Sequence, residues 1–277
     1  METEVNNRIL LVNDIVGCGR MGGTAMAPIL GAAGYECCYM PTALVSNNFA
    51  YGEFGMLDTT SYISDTIGVW GRLGFIFKAI ATGVVMGAEQ AAIVADFCRS
   101  RAEEGATVFV DPVMGDGGSL YNGMTGQTVE GMKKLLSSAH VACPNYTEAC
   151  LLTGTEYRKE GTDAAGMRRM ADAIAALGAK SVVVTSAVVD GQSCVAGYDH
   201  AGGGHFALPY DEIPTAVSGT GDVFSAVLYA ELLRGGDLQG GVQKAMDTVR
   251  RLIEADSGNP DPRMGIRLER HIGAARP

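Results

Sequence analysis

Apolar positions fall into two alternating rhythms along the chain: short β-branched runs with no polar interruption, and longer stretches in which apolar residues recur every three or four positions. The first rhythm predicts strands buried on both faces, and the second predicts helices that cover them. Arg8 to Val12, Glu36 to Met40, Lys78 to Thr82, Thr107 to Val110, Ala139 to Ala142 and Ser181 to Thr185 read as strands. Helices are expected over Gly23 to Ala33, Thr59 to Leu73, Ala88 to Glu104, Thr125 to Ser138, Thr162 to Leu177, Asp222 to Leu233 and Leu238 to Ala255. Pro41 to Gly55 reads as a loop, and Ser193 to Leu208 as an antiparallel edge hairpin around Gly202-Gly203-Gly204. This alternation specifies an α/β fold, a three-layer αβα sandwich with a mostly parallel central sheet. No repeat or linker interrupts it, so residues 1–277 are expected to form one domain.

Composition narrows the function. With 31 acidic against 21 basic residues the net charge is -10, which argues against a nucleic-acid surface. An anionic small substrate therefore needs a local positive field. The 7 cysteines are scattered without a CxxC pair, as expected of reduced thiols in a cytoplasm. The first residues carry acids where a signal peptide needs bases, and no apolar run reaches the ~18 residues that span a bilayer. A cytoplasmic protein with no membrane partner is the expectation.

Glycine clusters mark the candidate chemistry. Gly17-Cys18-Gly19-Arg20-Met21-Gly22 matches the spacing of a dinucleotide-binding turn, with Glu36 further on as a ribose ligand. Two details weaken this reading. Asn13 to Val16 intervene between strand and first glycine, and Glu36 opens the second strand instead of closing it.

The second cluster, Gly219-Thr220-Gly221, precedes Asp222 and an apolar helical run. A helix N-terminus offers unpaired N–H groups and a partial positive charge, so glycines there let backbone amides close around an anion. Asp222 then stands where an alcohol would meet that anion, as a general base in phosphoryl transfer requires. The plainer alternative is a carboxylate that favours the helix dipole. Further polar groups follow other strands: Asp111 and Asp116 after one, Asn145, Thr147 and Glu148 after the next. Ligands of open parallel sheets bind beyond the carboxyl ends of the strands, and hard oxygens such as Asp111, Asp116 and Glu148 suit Mg²⁺. Helix capping and turn formation are the structural alternatives for Asn145, Thr147 and Asp116.

The segments DPVMGDGGSLY, PNYTEACLLTG, VVVTS and SGTGDVFSA, in this order, resemble the ribokinase-type vitamin kinases, most closely their pyridoxal/pyridoxamine kinase branch. The likeness also takes in VNDIVGCGRMGGTAMAPILGAAG and PTALVSNNFAYG, and so runs over roughly residues 8 to 255. It implies a ribokinase-like fold, with Asp222 as base and Gly219, Thr220 and Gly221 as anion cradle. It implies that Asp111, Asp116, Asn145 and Glu148 arrange Mg²⁺ and the ATP phosphates, with Asp111 and Glu148 nearest the metal and Tyr121, Thr185 and Ser186 near the nucleotide. Asp14, Val16, Asn47, Phe49 and Val84 would surround a small acceptor, and a homodimer is the implied assembly.

The departures from the resemblance gather at the acceptor. Relatives commonly carry serine where this chain has Val16, threonine where it has Phe49, and an aromatic residue near Val84. The chemistry expected is ATP-dependent phosphorylation of the hydroxymethyl group of a vitamin B6 compound. The alternatives are another hydroxymethyl heterocycle such as hydroxymethylpyrimidine, a sugar-like alcohol, a non-catalytic vitamer-binding relative and a dinucleotide-binding oxidoreductase.

Overall fold

The structure is a computed structural model and describes residues 6–274. In chain order its regular elements are β1 (Arg8–Cys18), α1 (Gly23–Ala32), β2 (Glu36–Asn47), β3 (Met56–Asp58), α2 (Thr60–Leu73), β4 (Ala79–Thr82) and α3 (Gly87–Glu103). There follow β5 (Thr107–Val110), β6 (Gly115–Asp116), β7 (Ser119–Leu120), α4 (Gly126–Leu136), β8 (Val141–Ala142), α5 (Tyr146–Thr153) and α6 (Ala164–Ala176). The remainder is β9 (Ser181–Val189), β10 (Gln192–Asp199), β11 (Gly204–Pro209), α7 (Thr220–Leu233), α8 (Leu238–Ala255) and α9 (Leu268–His271).

One 9-stranded sheet orders the strands β11-β10-β9-β8-β5-β4-β1-β2-β3, and β6 with β7 forms a separate hairpin. Pairing is parallel from β9 through β8, β5, β4 and β1 to β2, and antiparallel at β3, β10 and β11. The strand period of two divides the core into two layers. Leu10, Val12, Ile80, Val108 and Val182 point to the face covered by α2 to α6, while Ile9, Leu11, Ala79, Phe109 and Val183 point to the face covered by α1, α7 and α8. Helix α7 is buried from Val223 to Ala230 because it lies between the sheet and its neighbours α1 and α8. Its Tyr229 ring stacks on Phe109 of β5 at 4.2 Å and 14°. Among the described residues no helix is long and apolar enough to cross a membrane.

The sheet topology is the α/β sandwich expected, with two corrections. Pro41 to Gly55 is not a loop: β2 continues to Asn47, a 3-10 turn covers Phe49–Tyr51, and β3 pairs back onto β2. Pro41 reads as a strand breaker, yet it lies where the β1–β2 register shifts between Asn13 and Ile15, a position that tolerates a missing donor. Strand β1 likewise runs past Val12 to Cys18.

Strand order reverses between β1 and β4, with β2 on one side and β5, β8 and β9 on the other. A crevice opens at such a reversal, beyond the carboxyl ends of the strands. There Asn13 Oδ1 accepts both the Val84 and the Asp14 N–H at 2.9 Å, which locks the ends of β1 and β4 together.

Candidate active site

Helix α7 begins against this crevice. Gly219 caps it at φ 76°, and a Cβ there would collide with the Arg20 carbonyl, so the turn requires glycine. Asp222 follows in the first turn, where N–H groups lack intrahelical partners. It is half-exposed toward the crevice but enclosed by protein behind, and burial pushes its carboxyl up to about 6. Hydrogen bonds from the Gly22 N–H and the Asn13 side chain oppose that rise. Gly22 is itself held at φ 55° as the cap of α1.

Two acids arrive from the neighbouring strand ends. Asp111 leaves β5, accepts the Ser225 hydroxyl at 2.9 Å on Oδ2, and is pushed up to about 7 by burial and by Asp222. Glu148, only 2% exposed, is held at the start of α5. Its Oε1 accepts the Met114 N–H at 3.0 Å and its Oε2 the Asn145 N–H at 2.9 Å. Burial and Asp111 still push its carboxyl well above the usual range. Asn145 also donates from Nδ2 to the Gly115 carbonyl at 2.8 Å, and so fixes the hairpin that carries Asp116 at its exposed end.

Tyr121 follows that hairpin, its phenol raised by burial and by Glu148. Thr185 bridges in parallel to Asn145, and Ser186 takes the left-handed conformation at φ 54°.

The opposite wall is apolar. Val16 and Val84 are 5% and 7% exposed, and Val16 packs with Ala43 and Val45 beside Phe49, whose ring meets Phe54 edge-on at 4.5 Å. Asn47 stands here too, but its Nδ2 already donates to the Glu53 carbonyl at 2.8 Å and its Oδ1 accepts the Ser46 hydroxyl at 2.6 Å. Asp14 completes the wall, with burial and Asp222 pushing its carboxyl up to about 7.

A cavity of about 830 Å³ joins these two walls. Around it lie Asp14, Val16, Asn47, Phe49, Val84, Asp111, Asp116, Tyr121, Asn145, Glu148, Thr185, Ser186, Gly219, Thr220, Gly221 and Asp222, whereas Thr147 and the dinucleotide candidate Glu36 lie outside it. Sequence reasoning passed over Asn13, Ser225, Asn48 and Arg263, and gave Gly22 a different role. Asn48 Nδ2 donates to Ser218 Oγ at 2.8 Å and to the Arg263 carbonyl at 2.7 Å, tying the 3-10 turn to the loop before α7. The only signal for Gly22 was the dinucleotide spacing, and that motif does not fold as such: Gly17 and Cys18 continue β1, and Glu36 sits exposed beside Arg8.

The donor set fits Mg²⁺. Among the described residues no three His, Cys, Asp or Glu side chains form a metal cage, whereas Asp111 and Glu148 offer hard carboxylates raised chiefly by burial, Asp111 also by Asp222 and Glu148 also by Asp111. A cation that uses one or two carboxylates and fills its shell with waters and phosphates needs no more.

Comparison with known proteins decides the family. The phosphomethylpyrimidine kinase family model matches residues 32–265. The chain belongs to this family. It is a phosphotransferase acting on an alcohol group, with the ribokinase-like fold that its motifs implied. A pyridoxine/pyridoxal/pyridoxamine kinase of Bordetella avium is 32% identical over 259 residues, covering 89% of this chain and 83% of the relative. A Bacteroides thetaiotaomicron protein crystallised with pyridoxal superposes with a TM-score of 0.90 at 31% identity, covering 98% of this chain and 96% of its own. Pyridoxal kinase from Leishmania donovani, in complex with ADP and pyridoxamine, gives a TM-score of 0.81 at 26% identity, covering 98% and 96%.

Proposed function

We propose that this vitamin kinase transfers the γ-phosphoryl group of ATP to the hydroxymethyl group of a vitamin B6 compound, with Asp222 as general base. The observation that carries the reading is the placing of Asp222, under the first-turn amides of α7 and facing a cavity that also holds Asp111 and Glu148. The acceptor hydroxyl gives its proton to Asp222, its oxygen bonds to the γ-phosphorus, and the bond from that phosphorus to the bridging oxygen breaks to release ADP. Backbone N–H groups of Gly219, Thr220 and Gly221 meet the charge that builds on the moving group.

Asp111 and Glu148 would hold Mg²⁺, which when bound offsets the charge of the phosphates. Tyr121, Asn145, Thr185 and Ser186 border the nucleotide end, with Asp116 at its rim. Val16, Asn47, Phe49 and Val84 border the acceptor ring. A homodimer is the assembly that the resemblance implies, and the scattered cysteines favour the cytoplasm.

Support for a B6 acceptor comes from the Bordetella avium relative and from the pyridoxal and pyridoxamine held by the two similar structures. The family description and the apolar wall at Val16 and Phe49 favour a second reading, hydroxymethylpyrimidine. ADP release from ATP and Mg²⁺, measured with pyridoxal, pyridoxine, pyridoxamine and hydroxymethylpyrimidine in parallel, separates the two. Faster use of the pyrimidine than of every vitamer overturns the B6 assignment.

A further inference from the structure

Asp14 is a buried acid that the transfer reaction leaves without a task. It is 5% exposed, it lines the cavity, and its Oδ1 finds no hydrogen-bond partner among the described residues. It packs against the α-carbon of Gly22, where any Cβ would overlap Oδ1. The N–H of the same glycine serves Asp222. The two carboxyls therefore flank a single residue.

Nothing nearby supplies the missing donor. Val16 and Val84 are apolar, and the Asn13 amide nitrogen is turned to the Met26 sulfur at 3.7 Å and to Asp222. Arg263 is the one lysine or arginine around the cavity among the described residues, and Asp261 already accepts its Nε at 2.9 Å and its Nη2 at 3.1 Å. A carboxyl buried without a donor is unfavourable, so the geometry calls for one from the ligand.

If the hydroxymethyl group meets Asp222, the substituent on the neighbouring ring carbon is the next group along and faces Asp14. We propose that Asp14 is a specificity-determining residue that accepts a hydrogen bond from the amine of an aminomethyl group on the ring carbon next to the one bearing the hydroxymethyl group. The positive charge of such an amine favours the ionised form of Asp14, which burial and Asp222 oppose. Acceptors with an aminomethyl group there are then preferred over those with a methyl group in its place. This inference rests on the proposed orientation of the acceptor toward Asp222.

Equilibrium binding in the presence of ADP tests it without turnover, with pyridoxamine and its 4-methyl counterpart, 4-deoxypyridoxine, as probes. The protein is expected to hold pyridoxamine about tenfold more tightly, the value of one charge-assisted hydrogen bond. Asp14→Leu keeps the branched shape but removes the acceptor, and should bring the two ligands within about twofold while ADP affinity stays unchanged. Equal affinity of the two ligands for the unmodified protein overturns the proposal, however the variant behaves. So does a variant that keeps the preference. If the preference holds but no acceptor supports ADP release, the kinase reading fails and the role of Asp14 stands.

Discussion

Asn145 and Glu148 cap one another: Asn145 Oδ1 accepts the Glu148 N–H and Glu148 Oε2 accepts the Asn145 N–H, both at 2.9 Å. The capping and ligand readings of these residues are thus compatible, because the box that starts α5 also fixes the carboxylate against the Met114 N–H. Replacing Glu148 with Gln keeps one acceptor oxygen and puts an amide donor against either the Asn145 or the Met114 N–H. The half-saturating Mg²⁺ concentration is expected to rise about tenfold, as when a supporting carboxylate of a metal site is lost. Titration of Mg²⁺ at saturating ATP checks this, and an unchanged requirement leaves Glu148 as a cap alone.

Asp222→Asn preserves the shape of the side chain and its acceptance of the Gly22 N–H, but an amide does not take the hydroxyl proton. Loss of general-base assistance should lower kcat by ~10²–10⁴-fold with little change in nucleotide affinity. Steady-state rates together with ADP binding provide the comparison. A variant retaining a tenth or more of the original kcat removes Asp222 from the role.

The pH profile should report the same group. With its carboxyl pushed up to about 6, Asp222 is protonated below that value, so kcat/KM is expected to fall about tenfold per pH unit on the acid side. Asp222→Glu with a shifted acid limb would assign the limb to this residue; an unshifted limb would assign it elsewhere.

Stability runs the other way with pH. Asp14, Asp111 and Asp222 are all raised above the ordinary carboxylate value, chiefly by burial, so the folded state binds their protons more tightly than the unfolded chain does. Their contribution is present in full below the unfolded value near 4 and is lost as pH rises through about 6 to 7. The protein without Mg²⁺ or nucleotide should therefore melt at lower temperature at pH 8 than at pH 5.5. Saturating Mg²⁺ and ADP should narrow that difference, because a bound cation stabilises the ionised acids. Thermal melts at both pH values, with and without these ligands, test the sign. A higher melting temperature at pH 8 without ligands would contradict it.

The side of the cavity proposed for the nucleotide was legible in the sequence because its residues follow strand ends within a few positions. Asp111 lies next to β5 in the chain, Asn145 and Glu148 follow β8, and Gly219 to Asp222 open α7. What supports them comes from far away in the chain, and no local pattern marks it. Ser225 reads as one more position of an apolar helix until its hydroxyl is found on Asp111, more than a hundred residues earlier. Asn13 sits inside a strand, where the pairing of β1 with β4 and the approach of α7 give its amide its tasks. Pro41 misled for a related reason: local chemistry marks it as a breaker, and tertiary pairing with a register shift accommodates it.

Phe49 is where the acceptor assignment meets the structure most directly. Its ring borders the cavity and leans edge-on against Phe54 at 4.5 Å, on the wall proposed for the acceptor. Truncation to alanine removes apolar surface from one face of the acceptor, with an expected rise in acceptor KM of about tenfold, on the order of the area a ring contact buries. Because the base and the α7 amides lie on another part of the wall, kcat should stay within about twofold, the mark of binding lost equally from ground state and transition state. Steady-state kinetics at saturating ATP resolve the two constants. A fall in kcat with KM unchanged would place Phe49 in the transition state instead. In that case the departures at Val16 and Phe49 alter the chemistry and not only the fit of the ring.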